Sequence, residues 1–505
     1  MPTLAAPASN AINSQTETWF RRILIVFAVA AIVGVLGHFA LLLWAQNGFT
    51  GGEIVVAAHA SMLVHNGTLY YDPNHYPYTI APYTPLFYLL DAGLQKFGFP
   101  IYSAGRVISF AATVAILILS WYLTLLYTED RYSAAISMLL GGSSSLLFVW
   151  GTVGQVDVLA LFWALAAFYL YSRYALRGEH TLVWAGVCAA LAFFTKQTML
   201  ACPAAIFLHL WFTRRRSVAM QFGCLLLAAV TVVVLSLDSI LGGRFLADTV
   251  RANVNPYSLQ KLLLHLRFTL LVAGPLVLVV AIGARQMIRK YCAAPFVYLC
   301  LAAFVFLGSA PKTGSDLNYQ LEFTILLTLC ASLSLHALDF FRLSFVRSRT
   351  WVTLLQLPLA LFLVVNLRTT GNVLLMRFVN EEQMRAEMAV LKNILADGGR
   401  VLSADYNAVV RLRGRLDVEM AFYHLLVKSG MIDPEPLRRD LAASAFSTVI
   451  LLEDVNHEEG PLNIEVSSLP AAQLEEVRKH YKLVAHVPGP ALNGVYVYKP
   501  RSGPN

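Results

Sequence analysis

The chain has 505 residues, 57% of them hydrophobic and only 13% charged, with a formal net charge of +8 at pH 7. Soluble domains carry about 25% charged residues, so the composition excludes an ordinary water-soluble fold and assigns most of the chain to lipid or to other apolar helices. The positive charge does not indicate nucleic acid, because the arginines stand in short clusters between apolar runs, the pattern that orients membrane spans.

In chain order, residues 1–22 are polar and read as a cytoplasmic tail. The apolar run 23–44 is too long for the core of a signal peptide and has no cleavage site after it, so it reads as a retained first span. Residues 45–103 form a long loop on the outer side, rich in Tyr, Pro and His. A crossing helix needs about 20 apolar residues, and 104–126, 132–149 and 158–174 are the next candidates. The longer stretch 182–212 is interrupted only by Thr195-Lys196-Gln197-Thr198. It is either one helix with a buried lysine or two short spans meeting at that polar tetrad. Further candidates are 218–241, 268–284, 295–308, 323–338 and 351–367.

Orientation favours two spans at the tetrad. The clusters Arg21/Arg22, Arg131, Arg173/Arg177, Arg214/Arg215/Arg216, Arg285/Arg289/Lys290 and Arg342/Arg347/Arg349 then all fall on one side, which the positive-inside rule makes cytoplasmic. The expected fold is a polytopic α-helical membrane protein of about eleven transmembrane helices, occupying 23–368. A C-terminal extracytoplasmic α/β domain follows over 379–505, where the composition turns charged. In it 381–395 and 420–429 have helical spacing, while 400–403, 446–452, 481–487 and 495–499 read as strands. The six cysteines lie within or beside apolar runs with no CxxC or Cys/His pair, so neither a disulfide framework nor a zinc site is expected.

Ionisable groups at span ends either snorkel or serve a site. Glu53 opens an apolar helix after the first span, with Gly52 beside it to permit a tight turn; the plainer reading is a carboxylate stabilised at a helix N-terminus. Asp157 follows a short Gly-rich loop at the outer end of the fourth span, as a helix cap or as a site residue. Lys196 sits between spans that look short for a full crossing, which implies an outer depression; a snorkelling lysine is the alternative. Lys312, Asp316, Asn318, Tyr319 and Glu322 approach the tenth span from the same side, and Arg106 starts the second. Gathered on one face, these groups suit an anionic, lipid-linked substrate. Carboxylates can act as general bases, and cations can receive a phosphate leaving group.

At these residues the sequence resembles the polytopic glycosyltransferases of the C-type superfamily, in particular a bacterial branch like protein O-mannosyltransferases and aminoarabinose transferases. The matching pieces are Gly52-Glu53, His65-Asn66-Gly67-Thr68-Leu69-Tyr70, Tyr83-Thr84-Pro85-Leu86-Phe87-Tyr88, Gly105-Arg106, Gln155-Val156-Asp157, Phe194-Thr195-Lys196-Gln197 and Gly314-Ser315-Asp316-Leu317-Asn318-Tyr319. Their order carries the likeness, over roughly the first 330 residues. The resemblance implies transfer of a sugar from a polyprenyl-phosphate donor to a glycan, lipid or protein acceptor at the outer face of the cell inner membrane. It puts Glu53 and Asp157 at the catalytic acidic positions and Lys196 and Arg106 on the donor phosphate; Tyr83, Lys312, Asp316, Asn318 and Tyr319, by their place on the outer side, are the candidates around the substrate. Some relatives use a divalent metal ion; no dedicated ligand cluster stands in this sequence, so no metal residue is assigned. The rival from another class is a secondary transporter or flippase of lipid-linked sugars, which would ordinarily show internal repeats and ion sites near the midplane.

Overall fold

The computed structural model describes residues 26–27, 29–30, 32–43, 45–338, 349–456, 469–489 and 494–501. The expected tail 1–22, the start of the first span, Trp44 and the basic residues Arg21, Arg22, Arg342 and Arg347 lie outside the described residues.

Helix α1 (Ile32–Leu43) leads into α2 (Gly51–Asn66) and α3 (Leu86–Lys96), both belonging to the long first loop. The membrane-type helices follow. They are α4 (Ile101–Thr128), α5 (Arg131–Gly142), α6 (Ser145–Trp150), α7 (Val156–Arg177), α8 (Leu182–Thr195), α9 (Ala201–Phe212) and α10 (Arg216–Ile240). After the short α11 (Arg244–Thr249) come α12 (Leu259–Val272), α13 (Gly274–Lys290), α14 (Ala294–Ser309), α15 (Leu321–Ala337) and α16 (Arg349–Ile394). Five described helical segments are long and apolar enough to cross a bilayer. On α10, Leu225, Leu227 and Ile240 are 72%, 68% and 80% exposed. In water each would forgo about 1.5–3 kcal/mol of burial; facing lipid, none does. By contrast α15 is buried along almost its whole length and is the centre around which α4, α5, α13 and α14 pack.

Three expected spans have a different shape. The run 268–284 straddles a 72° bend between α12 and α13, where Pro275 removes an amide at the start of α13. The run 132–149 divides into α5 and α6 because Gly141-Gly142-Ser143-Ser144 favours a turn over helix continuation. The run 351–367 is the first part of a 46-residue helix, which continues through Thr369-Thr370-Gly371-Asn372 and on past Glu381 to Ile394. At the tetrad, Lys196 is extended and ends α8, so α8 and α9 are 14 and 12 residues long. Neither reaches the length of a full crossing by itself.

Beyond α16 the chain builds a four-stranded sheet in the order β1-β2-β4-β3 from β1 (Val401–Ser403), β2 (Thr448–Leu451), β3 (Tyr481–Val487) and β4 (Val495–Pro500). Strands β1 and β2 are parallel, and the remaining pairings are antiparallel. Helices α17 (Tyr406–Arg413), α18 (Met420–Lys428), α19 (Glu435–Ala442) and α20 (Ala471–His480) belong to the same region. This region is not a bead on a string. One apolar cluster joins Tyr78, Ile80 and Ala252 to Leu402, Val418, Met420 and Tyr423, and another joins Ile54, Val55 and Tyr102 to Val410 and Leu416. The first loop and the C-terminal region therefore share their cores.

Candidate active site

Glu53 is placed by local rules. Thr50 caps α2 by accepting from the Glu53 amide at 3.0 Å, and Thr50-x-x-Glu53 has the spacing of a capping box. The Glu53 side chain, however, turns inward. It accepts from the amides of Phe49 (2.8 Å) and Gly154 (2.9 Å) and from Arg106, Nε at 2.7 Å and Nη2 at 3.0 Å. Burial by itself would raise the Glu53 carboxyl; the Arg106 charge and these hydrogen bonds overcome it and hold the group below the ordinary glutamate range. All five guanidinium N–H groups of Arg106 are used, because it also donates to the carbonyls of Leu42, Ala45 and Asn47. Both side chains are 0% exposed.

Glycines make this approach possible. A Cβ on Gly105 would lie 3.0 Å from the Cα of Gly154, so α4 and the loop before α7 meet backbone to backbone, and the Gly154 amide comes within reach of Glu53. Gly52 lies against a side chain rather than making the tight turn expected of it: a Cβ there would fall 1.9 Å from Gln155 Nε2, which would have to move.

The second pair lies nearby. Lys196 Nζ is 2.5 Å from Asp157 Oδ1, and Asn318 Nδ2 donates to the other carboxylate oxygen at 2.9 Å. The Lys196 ammonium also lies 4.2 Å from the centre of the Tyr319 ring, within cation–π range. Glu322 accepts from the Tyr298 hydroxyl at 2.7 Å, deeper in the bundle. Asp316 caps the turn before α15 and is exposed.

Beside this pair opens a cavity of about 540 Å³. Its floor and walls include the backbone at Gly51 and Gly52, with Tyr83, Lys196, Gln197, Asn253, Lys312 and Tyr319. Gln197 and Asn253 both donate to the Pro82 carbonyl at 2.8 Å and so fix this loop. Tyr406, Glu419, Phe422 and Leu425 of the C-terminal region close the cavity from the other side. Of the residues singled out in the sequence, Lys196, Tyr83, Lys312 and Tyr319 line the cavity, and Asp157 and Asn318 hold Lys196 at its edge. Glu53 and Arg106 form a separate buried pair behind it, and Asp316 does not line it. Tyr70 and Tyr88 are 2% and 0% exposed and pack in the core. The lining residues from the C-terminal region carried no sequence signal, since long-range contacts such as the pairing of Val418 with Tyr78 and the shared apolar clusters bring them there. In the C-terminal region Ser403, Asp405, Gly414 and Arg415 have local roles. Asp405 caps α17, Ser403 donates to the Asp405 carbonyl, Gly414 ends α17 in the left-handed region and Arg415 pairs with Asp417 at 3.1 Å. Among the described residues no three His, Cys, Asp or Glu side chains group as metal ligands would.

Residues 84–238 match the family model described as dolichyl-phosphate-mannose-protein mannosyltransferase, a stretch that contains Arg106, Asp157 and Lys196. No curated protein sequence matches the chain. Among solved structures, ArnT from Cupriavidus metallidurans bound to undecaprenyl phosphate is similar with a TM-score of 0.65 at 12% identity, covering 95% of this chain and 99% of that one. Its apo state gives 0.62 at 13% identity, covering 96% and 99%. The oligosaccharyltransferase of Archaeoglobus fulgidus gives 0.57 at 12% identity, covering 96% and 75%. At such identities the likeness is one of fold. Residues 84–238 thus match that mannosyltransferase family model, and the fold over almost the whole chain is similar to those of ArnT and of the oligosaccharyltransferase.

Proposed function

We propose that this chain transfers a sugar from a polyprenyl-phosphate donor to an acceptor at the extracytoplasmic face of the cell inner membrane, with inversion at the anomeric carbon. The observation that carries this reading is the cavity in which Lys196 and Lys312 face Tyr83 and Tyr319. It offers cations to a phosphate and aromatic faces to a sugar. The basic loops support an inward N-terminus, about eleven crossings when α8 and α9 count separately, and an outward C-terminal region. The transporter reading is not favoured: the fold is shared with C-type transferases, and the polar groups gather at one end.

In the proposed reaction an acceptor hydroxyl attacks the anomeric carbon from the face opposite the phosphate. The new C–O bond forms as the bond to phosphate oxygen breaks, and the electron pair leaves with the phosphate. Lys312 has no carboxylate within ion-pair distance among the described residues, so its charge is available to the leaving group. Lys196 meets that group already oriented by Asp157 and Asn318. Asp157 thus acts through Lys196. Glu53 and Arg106, whose hydrogen bonds are all taken up by each other and by backbone, suit a positioning role: they tie α4, the start of α2 and the loop ahead of Asp157 together. That differs from the base and phosphate-holding roles the resemblance implies for them, because a carboxylate accepting four hydrogen bonds has no lone pair free for an incoming proton.

The test is release of polyprenyl phosphate by the purified protein from a panel of polyprenyl-phosphate sugars. Lys196→Gln and Asp157→Asn should each lower turnover by about 10²–10³-fold. A wild-type protein that turns over and hydrolyses no donor, or variants as active as wild type, would overturn the reading.

A further inference from the structure

Attack by a hydroxyl needs a proton acceptor facing the donor, and the candidates can be compared by where they point. Among the described residues lining the cavity, Glu419 is the one carboxylate. It comes from the C-terminal region. Its backbone is held in place, because the Glu419 amide donates to the Tyr78 carbonyl at 3.1 Å and the Tyr78 amide donates to the Asp417 carbonyl at 2.9 Å. A short strand-like bridge thus sews this segment to the first loop.

The Ile80 amide hydrogen-bonds to the side chain, but its Oε2 has no structural task that explains it. Glu419 stands at the N-cap of α18, yet makes no capping hydrogen bond. It is 3% exposed, and its Oε2 is buried without a hydrogen-bond partner. Leaving a buried carboxylate oxygen unpaired costs more than about 1–3 kcal/mol, the figure for a neutral polar group. An oxygen left unpaired beside a cavity is instead poised for a ligand that fills it.

We infer that the C-terminal region completes the active site, with Glu419 as the catalytic carboxylate that accepts the proton of the attacking acceptor group. This rests on the transferase reading above. The acceptor oxygen gives its electron pair to the anomeric carbon, its proton passes to Glu419, and the donor phosphate leaves with the bonding pair on the lysine side. Burial pushes the Glu419 carboxyl up to about 8, the charge of Asp248 adds to the rise, and the Ile80 amide opposes it. A base in that range is matched to work near neutral pH. The titratable groups that face it are Asp248, Tyr83 and Tyr88, with Lys196 and Lys312 lining the same cavity. The inference also gives the acceptor its place, between the cavity wall of α18 and the sugar.

The experiment uses the full-length protein with whichever donor of the panel wild type consumes. It measures turnover from neutral to alkaline pH and, separately, binding of plain polyprenyl phosphate by intrinsic fluorescence. Glu419→Gln should lower kcat by about 10²–10⁴-fold, abolish the rise in rate through pH about 8, and leave polyprenyl phosphate binding as in wild type. Glu419→Asp should restore part of the rate with a displaced pH limb. Wild-type kcat and pH profile in Glu419→Gln would overturn the assignment while the transferase reading stands. Should Glu419→Gln not fold, an unchanged profile in Glu419→Asp overturns it equally. A wild-type protein that neither binds polyprenyl phosphate nor consumes any donor would remove the transferase reading, and this role with it.

Discussion

Arg106 and Glu53 show how much one residue pair can organise. The two are 53 positions apart, and the guanidinium gathers carbonyls from Leu42, Ala45 and Asn47 as well as the carboxylate. Breaking a buried pair by removing one partner leaves an uncompensated charge and costs about 3–5 kcal/mol. Arg106→Ala is expected to lower the thermal stability of the detergent-solubilised protein accordingly. Arg106→Lys should recover only part, since an ammonium has three donors where five are used. The pH dependence follows the same pair. Glu53 is held below the ordinary glutamate range, so its contribution is present above that range and is lost as pH falls through the lower, folded value. Melting curves of wild type should therefore hold further into acid than those of Arg106→Ala. Equal acid sensitivity would show that the pair does not set the Glu53 carboxyl.

At the scale of elements, α17 and α18 attach the C-terminal region to the first loop. Asn407, on α17, uses its side-chain carbonyl to accept from the Gly48 amide at 3.0 Å and from the Tyr102 hydroxyl at 2.9 Å. Asn407→Ala leaves both donors buried and unpaired, at about 1–3 kcal/mol each as an upper range. The expected result is faster proteolysis in the segment between α16 and β1, with the membrane helices staying intact; wild-type cleavage rates would remove α17 as an anchor. Some of these elements were readable in advance. The strands read at 481–487 and 495–499 match β3 and β4, where valines and tyrosines suit extended backbone. The bend between α12 and α13 and the unbroken length of α16 were not readable from hydropathy, which records how apolar a segment is and not where its axis turns.

Over the whole molecule, the fold brings Glu419 near Asp248 of α11, and burial pushes both carboxyls up to about 8. In the unfolded or undocked chain each would titrate in the ordinary carboxylate range. Between that range and about 8 the docked form holds more protons, so docking is strongest in mild acid and weakens as pH rises through the window. Hydrogen exchange of the α11 and α18 amides should accelerate above pH about 8 relative to neutral pH, more than the intrinsic rise in exchange, and Asp248→Asn should flatten the change. An unaltered profile in Asp248→Asn would sink the electrostatic account of docking.

The amino-acid sequence by itself decided the class of solvent and the chemical inventory. Too few charges for water, arginines in clusters, and Glu53, Asp157, Lys196 and Tyr319 among apolar neighbours are all local facts that need no coordinates. The tertiary structure alone decided which of those groups are spent on each other and which remain free. Ion pairing depends on side chains meeting across long separations: Glu53 with Arg106, Asp157 with Lys196, and Asn318 with Asp157. For the same reason Glu419, which lacks any motif in the chain, reaches the cavity through backbone pairing with Tyr78 and the apolar cluster around it.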